Sequence, residues 1–171
     1  SLAEEIEKNN KTRKDLDQSI TKHALEMIDE NKKSTVVFSE KWHKGVVGIV
    51  ASRLIESYYK PTIVFAEADG MLTGSARSVH DFDLYEAISK CSHLCEKFGG
   101  HKYAAGLSVK KENIQAFIDM FEEAVSEKIT TEQLSPKIEA DMEIDINCVN
   151  EKMLRIIKQL APFGPLNLSP I

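Results

Sequence analysis

The 171-residue sequence is poor in the features that mark several protein classes. Its cysteines, Cys91, Cys95 and Cys148, are sparse and odd in number, which excludes a disulfide framework and suits a reducing compartment. The longest apolar runs, Gly48 to Ala51 and Thr62 to Ala66, fall far short of the roughly 20 residues that span a bilayer. There is no charged-then-apolar leader, so a soluble, cytoplasmic chain without a membrane partner is expected. Positive charge is also in deficit. The net charge of −5 argues, at first, against a nucleic-acid partner, because Lys and Arg supply most non-specific affinity for phosphate. The hydrophobic share, 42%, is enough for a sizeable core and excludes disorder along the whole chain.

The acidity is not evenly spread. Residues 1–35 hold 7 basic and 8 acidic residues, 36–109 hold 8 and 8, and 110–171 hold 7 and 11. The neutral middle also carries His43, His80, His93 and His101, so chemistry or recognition is expected there.

Residues 2–31 contain no glycine or proline, and Ile6, Leu16, Ile20, Ala24 and Met27 recur at helical spacings, which predicts one long helix with a narrow apolar stripe. Thr35 to Ser39 reads as a short buried strand, Gly45 to Tyr59 as a helix with almost no polar face, and Thr62 to Ala66 as a central strand. Strand, helix, strand in that order implies a right-handed crossover between parallel strands. Asp69-Gly70 predicts a tight turn into a strand over Met71 to Ser78. Asp83 and Glu86 open an apolar stripe through Leu84, Ile88, Cys91, Cys95 and Phe98, read as a helix broken at Gly99-Gly100.

Tyr103 to Val109 reads as a further strand, and Ile114 to Val125 as an amphipathic helix. Strict alternation from Lys137 to Ile146 predicts a half-exposed strand, and Val149 to Leu160 a last helix. The expected class is α/β, with a mixed, mainly parallel sheet flanked by helices. A long connecting helix (1–33) precedes the domain (34–130), and a strand-helix extension (131–171) follows it.

Three glycine-containing segments at strand–helix junctions are the candidate sites. Trp42-His43-Lys44-Gly45-Val46-Val47-Gly48 opens the buried helix, where free first-turn amides beside His43 and Lys44 suit an anion. Gly74-Ser75-Ala76-Arg77-Ser78 presents two hydroxyls and a guanidinium fork suited to one phosphate. In Gly99-Gly100-His101-Lys102-Tyr103-Ala104-Ala105-Gly106, two glycines allow close backbone approach and His101 can donate to a phosphate oxygen or pass a proton.

Cys91, His93 and Cys95 have metal-ligand types but read better as core cysteines, and Asp81 or Asp83 as a helix N-cap. No metal site is assigned. Two-metal phosphoester hydrolysis needs converging carboxylates and histidines, and none cluster near the glycine segments. The pattern suits holding a phosphorylated substrate rather than cleaving it.

The three segments in this order resemble the DHH-associated (subfamily 1) domain of RecJ-type single-strand-specific 5′ to 3′ DNA exonucleases, over about residues 36 to 127. The long leading helix looks like the connector from a catalytic DHH domain. Ala161-Pro162-Phe163-Gly164-Pro165-Leu166-Asn167 looks like the entry to an oligonucleotide-binding fold, although it departs from the family's usual Gly-Asn-Pro. The resemblance implies a wall of a cleft that holds single-stranded DNA against a metal-bearing DHH domain outside these residues, in an enzyme of DNA repair and recombination.

Arg77, with Ser75 and Ser78, would bind phosphate, including the 5′ end, and His101 would reach the scissile phosphate, assisting only together with the DHH domain. His43 would sit at the rim. Lys44, Gly74, Gly99 and Gly100 complete the expected substrate-binding set. Mn²⁺ or Mg²⁺ is implied for the full-length enzyme, with no ligands in this chain, which by itself is expected to be inactive. The alternative is the related domain of a phosphodiesterase acting on short oligonucleotides or cyclic dinucleotides.

Overall fold

Apolar alternation and short turns build a five-stranded sheet in the computed structural model, which describes residues 1–138, 140–164 and 167–171. They form two units, Ser1–Pro136 and Lys137–Ile171. In the first, helix α1 (Leu2–Leu25) precedes β1 (Thr35–Ser39), α2 (Val47–Tyr58), β2 (Thr62–Ala68), β3 (Met71–Arg77), α3 (Leu84–Lys90), β4 (Cys95–His101), β5 (Ala104–Val109) and α4 (Ile114–Ser126). The strand order is β1-β2-β3-β5-β4.

The mixed α/β class, the flanking helices and the long leading helix are as expected, but the balance of the sheet is not. Only β1 and β2 pair in parallel, and the other three ladders are antiparallel. The α2 crossover produces the parallel pair. Asp69-Gly70, both at positive φ, closes the β2–β3 hairpin, and a two-residue connection closes β4–β5.

Each sheet face buries its own core. Ile20 and Ala24 of α1 and Val47, Val50, Ala51 and Leu54 of α2 cover Val37, Val64 and Ala66. On the other face α3 and α4 bury Phe65, Leu72, Ala76 and Leu107 against Ile88, Phe117 and Phe121. The Phe65 ring meets Phe117 edge-on, with centroids 5.7 Å apart. Arg53 of α2 holds the buried Asp17 of α1 at 2.7 Å, and the Trp42 indole donates to His23 Nδ1 at 3.2 Å. These contacts seat the C-terminal half of α1, while Leu2 and Ile6 remain exposed.

Two expected elements differ. The helix predicted through Phe98 ends at Lys90; a 3₁₀ turn follows, and Cys95 to His101 becomes strand β4. Two glycines disfavour helix there, and the ladder hydrogen bonds offered by the free edge of β5 outweigh a helical stripe. Cys91 is nevertheless a core cysteine and Cys95 is half-buried.

The strand predicted over 137–146 does not form among the described residues, and Ile138 and Ile146 are about four-fifths exposed, at 80% and 79%. Alternation makes a strand only where a neighbour supplies a ladder. Glu139, on the predicted polar face, lies outside the described residues, as do Pro165 and Leu166. Helix α5 (Glu151–Gln159) forms as expected, capped by Asn150, which accepts from the Met153 amide at 3.0 Å. No helix among the described residues is long and apolar enough to cross a membrane.

Gly74 has no room for a side chain, since a Cβ there would lie 2.5 Å from the Phe65 ring. Gly74→Ala is expected to destabilise the fold by about 1–3 kcal/mol, read as a lowered urea midpoint. Burial pushes the Cys91 thiol up to about 12, above its ordinary 9.0, so the unfolded chain loses that proton first and stability falls as pH rises from 9.0 towards about 12. Cys91→Ala is expected to flatten the decline in urea midpoint between about pH 8 and about pH 10.5.

Candidate functional site

Side chains alternate across a strand, so the register decides which of the predicted residues meet. Leu72, Gly74 and Ala76 of β3 face the α3–α4 side, leaving Thr73, Ser75 and Arg77 on the α2 side. Across the sheet Arg77 pairs with Ala104 and Ala104 with His101, while Ser75 pairs with Gly106 and Gly106 with Gly99. Arg77, Ser75, His101 and Gly99 therefore share one face. Arg77 and His101 stand two strand spacings apart, roughly 10 Å between backbones. That face is open beyond α2: Gly99 and Gly106 are exposed, with nothing within 4 Å of where a side chain would begin.

Arg77 folds back along β3. Its Nη1 donates to Ser75 Oγ at 2.9 Å and to the Ala76 carbonyl at 2.8 Å. Gly48 in the first turn of α2 admits this arrangement, because a Cβ there would lie 3.1 Å from Arg77 Nη2 and 3.2 Å from Ser75 Oγ. The first and second glycine segments thus meet at one point, the half-buried guanidinium at the start of a helix. All partners given to Arg77 among the described residues are neutral. Lys44, Arg53, Lys90, Lys102, Lys110, Lys111 and Lys128, by contrast, each hold a carboxylate. A partly desolvated cation without a counter-charge is poised for an anion.

The third segment is held just as firmly. The Tyr103 carbonyl accepts from the Ser78 amide, and the Lys102 carbonyl from the Leu84 amide, both at 3.0 Å. Lys102 pairs with Asp81 at 3.3 Å. Gly100 has φ of +155°, and a Cβ there would lie 2.3 Å from the Ala104 carbonyl oxygen, so only glycine fits. His101 Nδ1 accepts from the Tyr103 amide at 3.3 Å. His43 Nδ1 likewise accepts from the Gly45 amide at 3.0 Å. In the neutral ring each histidine then carries its proton on Nε2, which is left to donate outward.

The remaining predicted residues are placed elsewhere. Gly74 points into the core, and the Ser78 hydroxyl donates to the Phe82 carbonyl at 2.8 Å, closing a turn. Lys44 reaches Asp69 at 3.4 Å beside the β2–β3 turn. His43 lines a shallow cleft with Arg13 and Leu16 of α1.

The DHHA1 domain profile matches residues 31–127. The chain belongs to the DHHA1 domain family. It is 35% identical over 174 residues to the single-stranded-DNA-specific exonuclease RecJ of Bacillus subtilis, covering 99% of this chain and 22% of that protein. To RecJ of Escherichia coli it is 31% identical over 182 residues, covering 99% and 32%. The crystal structure of Thermus thermophilus RecJ in complex with Mg²⁺ superposes with a TM-score of 0.86 at 26% identity, covering 99% of this chain and 26% of that one; the complex with Mn²⁺ gives 0.88. The chain thus spans between about a fifth and a third of the length of these relatives.

The donor set of this DHHA1 domain does not fit those ions. Among the described residues no three His, Cys, Asp or Glu side chains converge. Asp83 is committed to capping α3, accepting from the Glu86 amide at 2.9 Å, and Asp81 is shared between Lys102 and His80.

Sequence reasoning missed Lys97, which pairs across Ser108 with Thr73 on the open face of the domain. Reading 84–98 as helix hid it. The signal available was the pair of glycines two residues on, which favours a hairpin over a helix end. The tautomer assignment is testable by ¹⁵N-correlated NMR of the imidazoles at about pH 8, where His43 and His101 are both expected as the Nε2–H form.

Proposed function

We propose that this DHHA1 domain is the DNA-holding wall of a RecJ-like 5′ to 3′ single-strand-specific exonuclease of repair and recombination. The observation that carries the reading is the half-buried Arg77 guanidinium, held among the described residues by neutral acceptors on an open sheet face. Arg77 and Ser75 grip a backbone phosphate, the 5′ phosphate included, with the first turn of α2 adding the positive end of its dipole. His101 donates its Nε2 proton to a phosphate oxygen near the scissile bond. His43 and Lys44 guard the rim nearer the β2–β3 turn, Gly99 and Gly100 let the strand approach the backbone, and Gly74 and Ser78 keep β3 and its following turn in place.

The opposing wall is a DHH catalytic domain of the same full-length protein, and α1 is the connector to it. The Mn²⁺ or Mg²⁺ ions that activate water there are bound outside these residues, so this chain alone binds without cleaving. Its free cysteines suit the reducing cytoplasm. The reading is supported by identity to RecJ along nearly the whole chain and by the match to RecJ structures solved with those metals.

Few phosphates are held, so affinity should be modest and salt-dependent, with log K against log [salt] falling by roughly 0.7 for each phosphate neutralised on a single strand. Fluorescence anisotropy with a 5′-phosphorylated oligothymidylate should show binding at low salt that Arg77→Ala weakens about tenfold or more, consistent with loss of a charge-assisted bidentate contact. Absence of binding, or an Arg77→Ala variant that binds as well as the parent, refutes the phosphate-holding role.

A further inference from the structure

Lys97 is exposed and has no acidic partner among the described residues, unlike most of the cations around it. Since Phe98 packs towards the α3–α4 core, Lys97 rises from the opposite, open face. Register sets it in a row with the buried Ser108, 8% exposed, and the half-buried Thr73, whose hydroxyls line the floor beside it. The row with Ser75, Gly106 and Gly99 lies two residues along the strands, roughly 6.7 Å away, and the row with Arg77 and His101 about 13 Å away.

Between these polar rows the floor carries no side chain over β5 and β4. Gly99 and Gly106 open directly to solvent, and a shallow cavity runs over Thr73, Lys97, Gly99, Gly106 and Ser108, also lined by Asp69, whose carboxylate is held by Lys44 at 3.4 Å. The face is thus a cation-and-hydroxyl row, a bare backbone strip and a second cation row, repeating at about the length of one nucleotide step per row.

We infer that Lys97, with the Ser108 and Thr73 hydroxyls, forms a second phosphate subsite, and that the bound strand runs along β3, β5 and β4 over the glycine floor. The inference rests on the proposed phosphate grip at Arg77 and adds a length requirement to it. With its first phosphate at Arg77, a strand that advances about 6.7 Å per nucleotide spans the roughly 13 Å between the two cation rows only at its third phosphate. Lys97 therefore discriminates an extended strand from a 5′-phosphorylated dinucleotide, which carries only two phosphates, and so separates a site for longer single strands from one for very short oligonucleotides. Gly106 serves the same path by steric clearance alone.

The test uses this chain with two probes, a 5′-phosphorylated thymidine dinucleotide and a 5′-phosphorylated thymidine octanucleotide, followed by competition against a labelled octamer. Lys97→Ala should weaken the octamer about fivefold and reduce its salt slope by roughly 0.7, while leaving the dinucleotide unchanged. Gly106→Val, whose side chain points into open space on a strand that tolerates β-branching, should keep the thermal midpoint and circular dichroism of the parent while weakening the octamer. Arg77→Ala should weaken both probes.

If Arg77→Ala weakens both but Lys97→Ala and Gly106→Val leave the octamer unchanged, the second subsite is overturned and the grip at Arg77 stands. Equal loss on both probes with Lys97→Ala overturns the length requirement. No binding of either probe by the parent chain overturns both readings.

Discussion

Everything at the open face depends on the register of β3. The Phe65 ring of β2 occupies the space where Gly74 would carry a side chain, and Phe117 of α4 closes over that ring. This contact fixes which face of β3 is inside. A slip of one residue would send Arg77 and Ser75 into the core and bring Ala76 and Leu72 to the surface. The cost of burying an unpaired guanidinium makes that alternative inaccessible. One aromatic–glycine contact in the hydrophobic core therefore decides the orientation of the cation on the other side of the sheet.

The same economy of small residues recurs wherever the backbone must come close. Gly48 lets the first turn of α2 approach Arg77 and Ser75. Gly45 leaves room for the His43 ring, whose Nδ1 would lie 3.0 Å from a Cβ there. Gly100 allows the β4–β5 hairpin to close on Ala104. Around these glycines His43 and Arg77 are held by neutral partners, a backbone amide for His43 and the Ser75 hydroxyl and Ala76 carbonyl for Arg77, so the Arg77 charge is not cancelled even though the chain carries a net charge of −5. The acidic excess resides mainly in residues 110–171, with 11 acidic against 7 basic residues.

Much of this was legible from residue order. The α2 crossover follows from two apolar runs flanking a helix with almost no polar side, and the β2–β3 hairpin from Asp69-Gly70. Motif content pointed to Ser75, Arg77, Gly99 and His101, and these four do share a face. Ser78 and Gly74 lay in the same motif but serve the turn and the core, a distinction that depends on side-chain alternation within a strand whose register no local pattern specifies. Lys97 was hidden because Leu84, Ile88, Cys91, Cys95 and Phe98 keep helical spacing, although the chain there is half helix and half strand. Residues 137–146 show the converse: a clean period of two that, among the described residues, finds no neighbouring strand to pair with.

The sequence by itself determined the inventory: a neutral, histidine-bearing middle, a charged leading helix with a thin apolar stripe, and three glycine segments with the groups that recognise phosphate. Composition and periodicity are local properties, and they survive without knowledge of what lies alongside. Only the tertiary structure decided which members of that inventory act together. Ladder pairing set β5 between β3 and β4 and so put His101 and Lys97 on the face of Arg77. Packing of α2 left β5 and β4 uncovered. Both outcomes arise from hydrogen bonds and contacts between residues far apart in the chain, which no local pattern encodes.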